Sequence, residues 1–121
     1  LTTILGIVLK ARPAAIVFEA ANPRHRHEWT VWRDAEIPEG KILVPGCIDS
    51  TYNYVEHPEL VAQQICQFAD IVGRDRVIAG TDCGFGTFAG TGRVVADIAY
   101  KKLASLVEGA AIASGRLWVR A

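Results

Sequence analysis

The chain has 121 residues, enough for one domain, and half of them are hydrophobic, enough for a packed core. Thirteen basic residues balance thirteen acidic ones without a basic cluster, so there is no electrostatic footprint for nucleic acid or an anionic membrane. Three cysteines, an odd and sparse set, point to reduced thiols in a cytoplasmic protein, and no apolar run approaches the ~20 residues of a membrane span.

Residues 1–9 read as the end of a helix halted before Pro13. They lack the basic flank and the small-residue cleavage site of a signal peptide. The sequence contains no methionine, so a processed, trimmed or partial chain is expected. Residues 14–18 form a short continuous apolar run, the pattern of a strand covered on both faces. The run ends at Glu19, and Asn22-Pro23 then favours a turn. Residues 27–35 read as a helix of mediocre propensity, stopped at Pro38.

A second buried strand is expected from Ile42 through Cys47 to Asp49, with a bulge or bend at Pro45. Pro58 suits the first turn of a helix whose apolar residues (Leu60, Val61, Ile65, Phe68, Ala69, Val72) recur at helical spacing, and Gly73 is its stop. Residues 77–81 form a third buried strand. It runs into the glycine-rich loop Asp82-Cys83-Gly84-Phe85-Gly86-Thr87, which continues to Gly92. A last helix follows from Val94 and is expected to end at Gly115.

Alternating helices and buried strands predict an α/β fold with parallel strands. Three strands cannot close a barrel. The choice lies between a small open sheet and the last part of an eight-stranded barrel. No Gly-x-Gly-x-x-Gly opens a helix after a first strand, which disfavours a dinucleotide fold. Glu19, Asp49, Asp82 and Cys83 stand at the carboxyl ends of the three strands, where ligands bind in α/β proteins.

Cys83 there is a candidate metal ligand or nucleophile. Zinc accepts thiolate, imidazole and carboxylate, so Cys83 and Glu19 together are candidate ligands, although no third or fourth is evident. His25-x-His27 lies in a loop or helix start, where residues two apart point away from each other, so a polar loop is the simpler reading. His57 reads as a helix cap, Cys66 as helix packing, and Cys47 as inert within a buried strand. Trp29 and Trp32 read as packing. Asp49 is either a site residue or the acceptor of structural hydrogen bonds, because a buried acid needs a partner. Asp82 either holds the loop through backbone N–H groups or contacts substrate.

Glu19 closing a strand, Pro45-Gly46-Cys47-Ile48-Asp49 on the next, and Thr81-Asp82-Cys83-Gly84 on the last resemble the C-terminal end of the cobalamin-independent methionine synthase superfamily. The resemblance runs from about Pro13 to Trp118. Phe18-Glu19-Ala20-Ala21-Asn22-Pro23-Arg24-His25 and Asn53-Tyr54-Val55-Glu56-His57-Pro58 are more similar to the short, single-barrel branch, which includes epoxyalkane:coenzyme M transferase-like proteins.

The resemblance implies about three β/α units of a zinc-containing (β/α)8 barrel of the methionine synthase and uroporphyrinogen decarboxylase type. The whole chain, residues 1–121, would be a partial catalytic domain. It implies zinc held by Glu19 and Cys83, with a His-x-Cys pair from an earlier strand that has no counterpart here. It implies alkyl transfer to a thiol: homocysteine with methyltetrahydrofolate, or coenzyme M with an epoxide. Asp49 is the catalytic candidate, and Asp82 a substrate-pocket candidate. Long methionine synthases carry a histidine two positions after that aspartate; this chain has Thr51. The rival expectation is a non-catalytic barrel fragment. Three open parallel strands also predict self-association when the chain stands alone.

Overall fold

The computed structural model describes residues 1–86 and 88–119. Thr87, within the glycine-rich motif, lies outside the described residues. The elements in chain order are α1 (Leu5–Val8), β1 (Ala15–Phe18), α2 (Trp29–Arg33), β2 (Ile42–Ile48), α3 (Pro58–Val72), β3 (Gly80–Thr81) and α4 (Ala96–Leu117). The sheet order is β1-β2-β3, and both pairings are parallel.

Parallel pairing puts the three carboxyl ends on one edge. β1 and β2 run in regular register from Ala15 opposite Ile42 to Phe18 opposite Pro45. Pro45 does not break that ladder. The irregularity falls just beyond it, between Gly46 and Ile48 on the β3 side. β3 is shorter than its apolar sequence suggests, and upstream of it Val77 makes an isolated parallel bridge to Leu43.

Two apolar clusters hold the helices to the sheet. The first joins Leu5, Leu9, Trp32, Leu43, Phe68 and Val72. Phe18 stacks on Trp32 at 4.1 Å between ring centroids and meets Phe68 edge-on at 5.5 Å. Burying a side chain such as Phe68 contributes about 1.5–3 kcal/mol. The second joins Cys47, Ile48, Val61, Ala62, Ile65 and Ala113.

β1 is not covered on both faces, contrary to the expectation from its unbroken apolar run. Ile16 and Phe18 pack against the first cluster. The alternate residue Val17 is 67% exposed, as pleating requires when helices cover one face only. Val17 pairs with the half-buried Val44, and Ile78 is also exposed. An apolar sheet face thus stands uncovered among the described residues.

α3 begins and ends where its punctuation directs. Pro58 occupies the first turn, where its missing N–H costs nothing. His57 caps it, with Nδ1 accepting the Glu59 N–H at 3.1 Å. Gly73 closes it at φ 97°, a left-handed value that favours glycine. α4 runs through Gly115 to Leu117 rather than stopping there. A mid-helix glycine costs only about 0.5–1 kcal/mol, too little to end a helix that is packed along its length.

Candidate metal and substrate site

The carboxyl ends of the strands converge as their polar termini predict. Glu19, Asp49, Asp82 and Cys83 line one cleft of about 300 Å³, together with Arg24, Ser50, Thr51 and Arg93. Larger hollows lie elsewhere, beside Trp29 and Cys66 and beside Leu5 and Leu9, away from this set of groups.

Asp82 organises the cleft. Its Oδ1 accepts the backbone N–H groups of Ala20 and Ala21, and its Oδ2 accepts the N–H and the Nδ2 of Asn22, all at 2.9 Å. Both oxygens are therefore committed to the segment that follows β1. Gly46 makes this approach possible: a Cβ there would lie 2.0 Å from Asp82 Oδ1 and 2.8 Å from the Asp82 backbone. Buried Gln64 braces the same segment, donating through Nε2 to the Ala20 carbonyl at 2.7 Å and the Gly46 carbonyl at 3.0 Å.

Glu19 is thereby held opposite Cys83. Cys83 Sγ donates to Glu19 Oε1 at 3.0 Å. Asn22 Nδ2 donates to Glu19 Oε2 at 3.1 Å, and His25 Nε2 lies 3.3 Å from that oxygen. His25 Nδ1 in turn lies 2.9 Å from Glu28 Oε2. His25 therefore sits between two carboxylates, and His27 does not share its position. The hydrogen bond from Cys83 holds the Glu19 carboxyl below its ordinary range. The same bond, with desolvation added, pushes the Cys83 thiol above its ordinary range, while the Ser50 hydroxyl pulls the other way. A raised thiol is a poor nucleophile by itself and becomes a thiolate when a cation replaces the proton.

Asp49 is 1% exposed. Its Oδ1 accepts the Thr51 N–H at 2.8 Å and the Thr51 hydroxyl at 2.7 Å, and its Oδ2 accepts the Tyr54 hydroxyl at 3.2 Å. Partial burial, and then the Asp49 charge, push Tyr54 up to about 12, so it remains a donor at neutral pH. Three donors leave the carboxylate one further acceptor position, and Asp49 lines the cleft.

The remaining cysteines differ in surroundings. Burial pushes Cys47 up to about 12, and it packs in the second cluster. Cys66 packs partly against that cluster and partly lines a surface hollow. Trp32 is buried, whereas Trp29 lines the hollow beside Cys66. Neither tryptophan touches the cleft.

Sequence reading missed Asn22, Gln64, Glu56 and Lys102 as supports of this site. For Asn22 and Gln64 no local pattern signals the role, because their partners lie up to 60 positions away. Lys102 left no signal either: α4 buries the stripe Lys102, Ser105, Gly109 and Ala113, whereas the apolar residues Leu103 and Val107 of the same helix are exposed.

The fold has a solved counterpart. A B12-independent methionine synthase from Shewanella sp. W3-18-1, in complex with selenomethionine, superposes on 95% of this chain with a TM-score of 0.76 and 23% sequence identity. The match takes in 30% of that protein, so the chain spans under a third of its neighbour's length. This likeness establishes the fold: a small parallel sheet with its helices, arranged like a segment of that enzyme. No protein-family model and no curated protein matches the chain.

Proposed function

We propose that the chain carries part of the active centre of a zinc-dependent enzyme that transfers a methyl or other alkyl group to a thiol, within a (β/α)8 barrel. The observation that carries this reading is the meeting of Cys83 and Glu19 at 3.0 Å in a cleft at the strand ends. The methionine synthase fold supports it, and so does the uncovered apolar face of Val17 and Ile78, which suits the interior of a barrel completed by other strands.

The donor set fits zinc in kind. Cys83 would supply sulfur and Glu19 oxygen, both accepted in tetrahedral zinc sites. It fits in number only by half: among the described residues no group of three or more His, Cys, Asp and Glu is placed to hold a metal ion. Two further ligands would come from outside these residues. The chemistry zinc supplies when bound is stabilisation of a thiolate at neutral pH.

The residues of this chain then have distinct duties. Asp82 holds the Glu19 segment in place. Asp49 orients the substrate through its remaining acceptor position. The reaction forms a sulfur–carbon bond to the acceptor thiol, which loses its proton, and breaks that carbon's bond to the folate nitrogen or to the epoxide oxygen, which takes a proton up. Homocysteine with methyltetrahydrofolate and coenzyme M with an epoxyalkane are the two candidate pairs. Thr51, which is committed to Asp49 and stands where long methionine synthases carry histidine, favours testing both.

The test is an assay of the complete, zinc-loaded protein with each pair. The expected result is an alkylated thiol whose formation stops on chelation and resumes with zinc. A zinc-loaded protein that alkylates neither thiol overturns the reading in favour of a non-catalytic barrel piece.

A further inference from the structure

Lys102 lies on α4 with its side chain fully buried. A buried lysine is costly unless it is paired and hydrogen-bonded. Its Nζ donates to Glu56 Oε1 at 2.7 Å and to the Tyr54 carbonyl at 2.6 Å, and lies 4.6 Å from the centroid of the Tyr54 ring. The other oxygen of Glu56, Oε2, accepts the Asp49 N–H at 2.6 Å. Ser105, one turn further along α4, donates through its hydroxyl to the Glu56 carbonyl. The polar groups of this helix face thus converge on residues 54 and 56, and Glu56 passes the restraint to Asp49.

We infer that Lys102 and Glu56 are positioning residues, which fix the Asp49 carboxylate in the cleft beside Cys83 so that it receives the substrate. Packing alone does not call for an ion pair here, since hydrophobic replacements of buried pairs are often equally stable. What the pair adds is direction. Asp49 is held at its backbone by Glu56 and at its carboxylate by Thr51 and Tyr54, so both ends are set before substrate arrives. Tyr54 joins the two halves, with its carbonyl on Lys102 and its hydroxyl on Asp49. The inference rests on the reading of the cleft as a thiol-alkylating site and extends it to groups more remote from the chemistry.

Two variants of the complete protein test it. Glu56→Gln keeps the side-chain volume but offers Lys102 and the Asp49 N–H a single acceptor oxygen between them. The double variant Glu56→Leu/Lys102→Met removes both charges together. Each is read by hydrogen exchange over residues 49–56 and by the kinetics of thiol alkylation. Expected are faster exchange in that segment with α3 and α4 still protected, and a KM for the thiol raised about 10-fold with a smaller change in kcat, because a hydrogen bond made equally in the ground and transition states is uniform binding.

Unchanged exchange in a folded variant overturns the inference, as does faster exchange with an unchanged KM. If the double variant does not fold, Glu56→Gln decides. If the wild-type protein alkylates neither thiol, the functional reading fails, and exchange over residues 49–56 still decides whether the pair holds the cleft wall.

Discussion

Cys83 donates its thiol proton to Glu19 across 3.0 Å, although the two residues stand 64 positions apart in the chain. Each alters the other: the carboxyl is held low, and the thiol is held high. If zinc binds as proposed, the proton shared by this pair gives way to a cation held by two anionic ligands. The arrangement suits a ligand pair and disfavours Cys83 as a free nucleophile.

The sign of that coupling is measurable. The Glu19 charge stabilises the protonated thiol, so at any given pH less Cys83 is thiolate than in a free cysteine. Iodoacetamide labelling of chelated protein is expected to rise with pH through a midpoint above the ordinary 9.0. Glu19→Gln should move that midpoint down and speed labelling at pH 8. Cys47, buried and pushed up to about 12, should stay unlabelled while the fold holds. A midpoint unmoved in Glu19→Gln would contradict the pairing.

Asp82 supports Glu19 without touching it. Asp82→Asn turns one acceptor oxygen into a donor that faces backbone N–H groups. The expected cost is about 1–3 kcal/mol of stability for the donors left unmatched. Zinc affinity of the complete protein should also fall about 10- to 100-fold, as when outer supports of a metal ligand are removed. Isothermal titration of zinc checks this; an unchanged affinity would remove Asp82 from the site.

Gly109 lets α4 lie close against α3. A Cβ there would lie 2.5 Å from Val61 Cβ and 2.7 Å from the Pro58 carbonyl. Alanine favours a helix over glycine by about 0.5–1 kcal/mol. The overlap outweighs this gain, and Gly109→Ala should destabilise the protein by about 1–3 kcal/mol. A raised Tm on thermal melting would show that the helices part freely.

The uncovered sheet face and the open edge of β1 make residues 1–121 on their own prone to association. Sedimentation velocity should show oligomers or aggregates, reduced by Val17→Lys, which places a charge on the exposed face. A cooperative, monomeric melt of the same residues would contradict the barrel reading.

Much of the order of elements is legible in the chain because strong local signals agree with the fold. Pro58 and Gly73 bracket α3, and apolar runs mark β1 and β2, whereas β3 keeps only Gly80–Thr81 of its run and is not buried. The convergence of Glu19, Asp49, Asp82 and Cys83 follows from parallel pairing, which aligns all carboxyl ends. What escapes a linear reading is long-range. Whether β1 is covered on one face or two depends on neighbours, and Val17 looks no different from Ile16 in sequence. The role of Asp82 depends on three N–H groups some 60 positions earlier. The stop expected at Gly115 fails because packing along α4 outweighs one weak residue. Lys102 escapes as well: its stripe with Ser105 and Gly109 reads as polar and small, and only packing shows that it is the buried one.

The central claim is tested most directly by the zinc content of the complete protein, wild type against Cys83→Ser. Serine keeps the shape of the side chain but lacks the thiolate that zinc prefers. The account predicts one zinc ion per wild-type chain and a large loss of affinity and content in the variant, with the fold retained by circular dichroism. Unchanged stoichiometry and affinity in Cys83→Ser would contradict it.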